Sequence, residues 1–245
     1  MRRHGVQLGV WLGSILALAA CGPTIVHEPQ PQPQPRPAID PADDPLVEHE
    51  AVRAAVRDYL AALERRDVAA ASALVVGETF SYYEDLRVAA LRGTRAQLEN
   101  WDLISLVMIL QIRSKVPRAQ LEGLDGRELF GFAVAEGLVG GEGPDELALD
   151  EVWLDDAREA ARISISGEPI VWLRKTEDEG QRRWRIDIPE MVRQIGPAIE
   201  ATAREQVIAD GRLRTAYTLL VLESDESVAI EILDGPLEGE GSNAP

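Results

Sequence analysis

The sequence predicts an α+β domain in which several helices are followed by an antiparallel sheet and then by a further helical segment. Two observations predict this fold class. Apolar residues recur at helical spacing between residues 46 and 136, and again between Met191 and Ser224. Between residues 147 and 188, apolar and polar residues instead alternate with a period of two, which is typical of strands that are covered on one side.

Five helices are predicted before the sheet. Asp44 and Pro45 are residue types preferred at the N-cap and the first position of a helix. The pairs Ser81/Glu84 and Thr94/Gln97 have the spacing of capping boxes, so each predicts a helix start. The helix that follows Thr94 is apolar on nearly every side and should be buried. The predicted helices span residues 45–66, 68–76, 81–92, 94–116 and 127–136.

Four strands are predicted, at residues 147–154, 159–166, 170–176 and 182–188. Gly167-Glu168 and Glu179-Gly180 have the composition of turns. In the fourth strand the apolar residues Trp184, Ile186 and Ile188 alternate with Arg183, Arg185 and Asp187. We therefore expect Asp187 to point away from the apolar face.

The three tryptophans of this region, Trp153, Trp172 and Trp184, are predicted to pack in the core. Pro189 should end the sheet. The helical segment that begins at Met191 should be interrupted at Gly196-Pro197 and at Gly211.

Three segments of the sequence resemble the nuclear-transport-factor-2-like superfamily. They are the helix Tyr59-Leu-Ala-Ala-Leu-Glu-Arg-Arg-Asp67 and the strands Ala160-Ala-Arg-Ile-Ser-Ile-Ser-Gly167 and Arg183-Trp-Arg-Ile-Asp-Ile188. The resemblance implies a cone-like domain, in which helices pack on a curved antiparallel sheet, over residues 46–189. Residues 190–236 then form an added C-terminal helical extension, and the Gly/Glu-rich residues 237–245 a disordered tail.

The N-terminal residues have the pattern of an export signal. Arg2 and Arg3 precede the apolar run Val6–Ala17, which is shorter than the ~20 residues of a membrane-spanning helix. Leu18-Ala19-Ala20-Cys21 follows, and it contains the single cysteine of the chain. These four residues resemble the lipobox of bacterial lipoproteins. The resemblance implies that the Cys21 thiol receives a diacylglyceryl group, and that residues 1–20 are removed as a signal peptide.

Two alternatives remain at the N-terminus. An ordinary signal peptidase would cut after Ala19, since Ala17-Leu18-Ala19 fits its site, or the segment would stay uncut as an anchor. The residue after Cys21 is Gly22, whereas an aspartate at this position would resemble an inner-membrane retention signal. The outer membrane is then favoured in a cell with two membranes.

Residues 21–45 are predicted to be a lipidated cysteine followed by a stalk. Eight of the 15 prolines lie between residues 22 and 45, and the alternation Pro29-Gln-Pro-Gln-Pro-Gln-Pro-Arg-Pro37 favours an extended polyproline II conformation. At ~3.1 Å per residue, this stalk would reach about 70 Å from the membrane.

Composition restricts the chemistry available to the domain. The net charge of −17 disfavours binding to nucleic acid and to anionic lipid. The three histidines are His4, His27 and His49, of which only His49 belongs to the domain, so we expect no metal site and no cofactor. The acidic pairs and triplets, such as Asp155-Asp156, should be solvated turns. A basic band should pair with Glu and Asp across strands; its members are Arg174, Lys175, Arg182, Arg183 and Arg185.

These features favour a membrane-anchored envelope lipoprotein whose domain binds an envelope protein or a small apolar ligand without catalysis. Two alternatives stand beside it. The resemblance implies that an isomerase-like or SnoaL-like enzyme would use a carboxylate base near a phenol in an apolar pocket. Tyr59, Tyr82 and Tyr83 are the available phenols, and no catalytic residue is assigned. The other alternative is a structural component of an envelope complex.

Overall fold

The computed structural model describes residues 45–139, 149–165, 168–178, 180–206, 210–223 and 228–236. Several predictions therefore lie outside the described residues. These are the signal and lipobox residues Leu18, Ala19, Ala20 and Cys21, the stalk, the turn at Gly167 and the tail at 237–245.

Seven helices precede the sheet in the described chain, and two helices and a 3₁₀ turn follow it. The first group is α1 Pro45–Glu64, α2 Val68–Ala73, α3 Glu78–Arg92, α4 Arg95–Leu98, α5 Leu103–Lys115, α6 Arg118–Gly123 and α7 Gly126–Ala135. The second group is α8 Ile188–Gln206, α9 Arg212–Glu223 and the 3₁₀ turn Ile230–Leu233.

The sheet is an antiparallel meander of four strands in the order β1-β2-β3-β4, with bounds Leu149–Leu154, Ala160–Ile165, Glu168–Asp178 and Gln181–Ile186. The α+β class and the antiparallel pairing are thus confirmed. The sheet is open, because β1 and β4 are not paired with each other. Beyond β4, Val75 forms a parallel bridge with Ile186, so the end of the predicted second helix extends the sheet instead.

One face of the sheet is buried against α1, which packs on β1, β2 and β4. The cross-strand rows of this inner face are Val152–Ile163–Val171 and Ala161–Leu173–Ile186, followed by Lys175–Trp184. Helix α1 contributes buried residues at helical spacing, which are Val52, Val56, Tyr59, Ala62 and Leu63. The alternation predicted from the sequence therefore identifies the buried face correctly, except at Ser164. That residue is buried at a register shift, where its hydroxyl accepts the Glu151 amide.

Two predicted helix starts differ in outcome. Thr94 and Gln97 form a capping box, as expected. The Ser81/Glu84 box is wrong, because α3 begins at Glu78, one turn earlier, after Gly77. The long apolar helix predicted after Thr94 is divided, since Asp102 accepts the Ser105 amide and so caps a new helix, α5.

The sheet ends at Ile186, before Pro189, as predicted, whereas the interruption predicted at Gly196-Pro197 is wrong. Pro189 lies in the first turn of α8, where a missing N–H is tolerated, and Asp187 accepts the Glu190 amide at the helix start. Pro197 lies inside α8 without ending it. Pro197 and Arg193 are both exposed, so the Arg193 carbonyl that loses its helical partner can be solvated.

A buried arginine holds the C-terminal segment against the helices. Arg113 of α5 is 0% exposed, and its guanidinium donates to backbone carbonyl oxygens alone. The acceptors are Ala89, Ala90 and Gly93 at the end of α3, and Ile232 and Leu233 in the 3₁₀ turn. Burial lowers the pKa of Arg113 to about 10, so the side chain is still charged at neutral pH.

Candidate ligand-binding cleft

The phenols named for an acid–base site are buried or partly buried, and no hydrogen bond among the described residues joins one of them directly to a carboxylate. Burial raises the pKa of Tyr59, Tyr82 and Tyr83. The Tyr83 hydroxyl has no hydrogen-bond partner among the described residues, and the Tyr82 hydroxyl contacts Ser105 Oγ at 2.8 Å. Asp102 Oδ2 accepts the Ser105 hydroxyl at 2.6 Å, so one intervening hydroxyl links Tyr82 to a carboxylate.

Asp187 is buried and forms an ion pair instead of facing an apolar pocket. Its Oδ2 accepts Nε and Nη2 of Arg174, and Arg174 Nη1 also donates to Glu78 Oε1 at 2.6 Å. Asp187 lies after the last residue of β4. It ties the end of the sheet to the first turn of α8 and does not resemble a free general base.

The basic band pairs largely with acidic residues, as predicted. Arg174 contacts Asp187 and Glu78, Arg182 contacts Glu159, and Arg185 contacts Asp178. Arg183 differs, because its partner is the amide of Gln181.

Lys175 is the member of the band that lies on the inner face of the sheet. Its Nζ donates to Glu48 Oε1 of α1 at 2.6 Å, and Trp184 Nε1 donates to the other oxygen of the same carboxylate at 2.8 Å. Burial acts to raise the pKa of Glu48, but these hydrogen bonds and the charge of Lys175 together outweigh it, so the pKa is lowered. The pairing therefore joins helix to sheet, where cross-strand pairing had been predicted.

The tryptophan prediction is right for one residue and wrong for two. Trp184 is 6% exposed and belongs to the core. Trp153 and Trp172 are half-buried on the outer face of the sheet, in register with Arg162 between them. The Arg162 guanidinium lies 4.9 Å from the Trp153 ring centre, which is a cation–π distance.

Four charged side chains line a cleft of about 390 Å³. It lies where the α4–α5 connection faces the end of α8 and the start of α9. Its lining consists of Glu99, Leu103, Glu200, Arg204, Gly211, Arg212 and Thr215. A volume of this size falls within the range of small-molecule sites. We call this feature the ion-pair cleft.

Glu200 organises the ion-pair cleft. Its Oε1 accepts Arg204 Nη2 at 2.5 Å and Arg212 Nε at 2.6 Å, and its side chain is 14% exposed. The hydrogen bond from Arg212 is the largest influence that lowers the pKa of Glu200, so the carboxylate is ionised at neutral pH. On the facing wall, Glu99 Oε2 accepts the backbone amide of Arg212 at 2.9 Å, at the start of α9.

Gly211 shapes the wall of the cleft beside Glu99. Its φ of +85° is a left-handed conformation, and a Cβ atom at this position would lie 2.7 Å from Glu99 Oε1. A side chain here would therefore be strained and would displace the carboxylate that binds the Arg212 amide.

We expect Gly211→Ala to lower the free energy of unfolding by about 2–3 kcal/mol, measured by urea denaturation. Gly180→Ala is the matched control, because Gly180 has a φ of +75° and a Cβ atom added there would have no neighbour within 4 Å. It should cost only the conformational strain, about 1–2 kcal/mol. Equal losses would show that the Glu99 contact contributes nothing to stability.

Sequence reasoning missed this cleft. Glu99 and Arg212 are 113 positions apart, and only the fold brings them together. The one local signal was the i,i+4 spacing of Glu200 and Arg204, which is common on solvated helix faces. A second depression, between α2 and α7, is more open and is lined largely by small residues such as Ala69, Ser72 and Gly131.

No family model, curated protein or solved structure matches this chain. Among the described residues, none of the helices is long and apolar enough to cross a membrane.

Proposed function

We propose that this chain is an exported lipoprotein, anchored by an acylated Cys21, whose domain binds a ligand or partner in the cell envelope. The observation that carries the anchoring is the position of Cys21. The single cysteine of 245 residues lies directly after Leu18-Ala19-Ala20, at the end of a short apolar run that follows two arginines. Burial of each acyl CH₂ contributes about 0.8 kcal/mol, so two or more chains form a stable anchor.

The domain is proposed to be a cone-like member of the nuclear-transport-factor-2-like superfamily, presented at the end of the proline-rich stalk. Support comes from the antiparallel meander with α1 packed across its inner face. The helical content before the sheet and the helices α8 and α9 after it would be additions to that fold.

The ion-pair cleft supports a binding role. It offers two carboxylates and two guanidinium groups at the surface, and neither it nor the depression between α2 and α7 is lined by a phenol in the described chain. A carboxylate base beside a tyrosine, as the isomerase-like alternative requires, has no counterpart in these two linings. We therefore favour binding as the function of the domain.

Replacing Cys21 by serine tests the anchoring. A hydroxyl is a much weaker nucleophile than a thiolate, so we expect C21S to remain an unprocessed precursor. It should also lose incorporation of an alkyne fatty acid. Ala20→Gly keeps a small residue before the cysteine and is the control that should still be processed and labelled. A matured C21S protein that still partitions into detergent would contradict the proposal.

A further inference from the structure

We propose that the ion-pair cleft binds a small zwitterion that carries one carboxylate and one ammonium group, such as a short peptide with free ends. The inference deepens the binding role proposed above and rests on it. Arg204 and Arg212 would bind the carboxylate, and Glu99 and Glu200 the ammonium group.

The two arginines have N–H donors that are not used within the described part of the chain. Each guanidinium uses one nitrogen to bond the same oxygen, Glu200 Oε1, and the described residues provide no acceptor for the others. The Arg204 side chain is 68% exposed and that of Arg212 is 41% exposed, so a ligand can reach both. A planar guanidinium group can bind a carboxylate through two parallel hydrogen bonds, and two such groups line this cleft.

The two glutamates have acceptors to spare. Glu99 binds the Arg212 amide through Oε2, and Glu200 binds both arginines through Oε1. Within the described part of the chain, no group donates to Glu99 Oε1 or Glu200 Oε2. An ammonium group has three donors and no acceptor, so it matches carboxylate oxygens of this kind.

The charge balance of the lining selects against ligands of a single charge. Two guanidinium groups face two carboxylates, and Asp102 adds a further negative charge close enough to influence Arg212. A purely anionic ligand would meet Glu99 and Glu200, and a purely cationic ligand would meet Arg204 and Arg212. A molecule with both charges presents an opposite charge to each pair, which a ligand of a single charge cannot do.

The size and polarity of the cleft restrict the class of ligand further. The cleft volume of about 390 Å³ admits a molecule of amino-acid to dipeptide size. Leu103 is the one large apolar side chain in the lining, and it is 1% exposed. The ligand should therefore be mostly polar and bind through its charged ends.

Isothermal titration calorimetry with the full chain in detergent tests the proposal with three related probes. L-alanyl-L-alanine carries both charges, its N-acetyl derivative lacks the ammonium group, and its C-terminal amide lacks the carboxylate. We expect the free dipeptide to bind with a Kd of about 1 mM or lower, and each blocked form to bind at least about tenfold more weakly.

Substitutions in the cleft test which residues bind the carboxylate end of the dipeptide. Arg204→Gln should weaken the free dipeptide about tenfold and leave the weak binding of the amide unchanged, since the amide has no carboxylate to lose. Arg193→Gln is the matched control, because Arg193 is equally exposed on α8 and pairs with Glu190 outside the cleft. It should bind the dipeptide like the unaltered chain. Far-ultraviolet circular dichroism checks that both variants are folded.

The proposal is overturned if the free dipeptide gives no heat of binding up to about 10 mM, or if a blocked form binds equally well. It is also overturned if Arg193→Gln weakens binding as much as Arg204→Gln does. Labelling of Cys21 separates this result from the proposed anchoring. If Cys21 incorporates the alkyne fatty acid but the chain does not bind the dipeptide, only the proposed ligand class is disproved. If the chain binds the dipeptide but Cys21 is not labelled, only the proposed anchor is disproved.

Discussion

Replacing Arg113 by alanine is expected to lower the free energy of unfolding by about 3–5 kcal/mol. Arg113 is fully buried, and its guanidinium donates to five backbone carbonyls. Alanine would remove a donor from each of these largely buried carbonyls, of which only Ala89 keeps another in the described chain, the Gly93 amide, and it would leave a cavity of almost a whole side chain. An unsatisfied buried acceptor typically costs about 1–3 kcal/mol, and relaxation of the C-terminal segment should recover part of the sum.

Arg95→Ala is the control for this prediction. Arg95 reaches the same C-terminal segment, where its guanidinium binds both carboxylate oxygens of Asp234 at 2.7 and 2.8 Å. Both side chains of that pair are largely exposed, so solvent screens the pair and its loss should cost far less stability than the loss of Arg113. Urea denaturation measures both variants. Arg113→Met, which fills the volume without donating, should still lose most of the stability that alanine loses. A neutral Arg113→Met variant would mean that volume alone matters at this site.

Trp184→Ala is expected to cost about 3–5 kcal/mol. Trp184 lies on the inner face of β4 with 6% of its surface exposed, and Lys175 lies 5.1 Å from its ring centre. Alanine removes the apolar contact area, leaves a cavity and deprives Glu48 of the indole N–H. Trp184→Phe keeps most of the volume but loses that hydrogen bond, so we expect a smaller loss of about 1–2 kcal/mol.

Arg183→Ala provides the comparison on the other face of the same strand. Arg183 is exposed and hydrogen-bonded to Gln181, so its replacement should change stability by less than about 1 kcal/mol. Urea denaturation of Trp184→Ala and Arg183→Ala measures the two losses of stability. A loss at Arg183 as large as that at Trp184 would mean that the faces of β4 are energetically reversed.

Much of the sheet could be predicted from the sequence because its signal is local. A period of two reports which side of a strand is apolar, and it placed Trp184 and Ile186 on the buried face correctly. The prediction that Trp153 and Trp172 pack in the core rested on residue type and was wrong. An aromatic side chain can also cover the outer face of a sheet beside an arginine, and composition does not distinguish the two positions.

The helix errors have a different origin. Ser81 and Glu84 have the spacing of a capping box, but the chain enters α3 directly from the bridge between Val75 and Ile186. That bridge is a tertiary contact and leaves no local trace. Pro197 was expected to break α8, yet the carbonyl it leaves without a partner belongs to exposed Arg193 and needs none from the protein.

The polar sites could not be predicted, because their partners are distant in sequence. Arg113 follows a nearly continuous apolar stretch of α5, and its acceptors are carbonyls, which every residue possesses. Glu99 and Arg212 meet only after α9 packs against α5. Neither site differs in sequence from an ordinary solvated charge.

The five carbonyl acceptors of Arg113 become available at different times during synthesis of the chain. Three of its acceptors are made before Arg113 itself, whereas the other two lie about 120 residues later, near the end of the described chain. A nascent chain therefore carries this cation without its last acceptors until residues 232 and 233 have been added. The same holds for a chain trimmed by a protease ahead of that point. A chain that lacks residues 232 and 233 should therefore be less stable than the full chain, and a measurement of stability alone can distinguish the two.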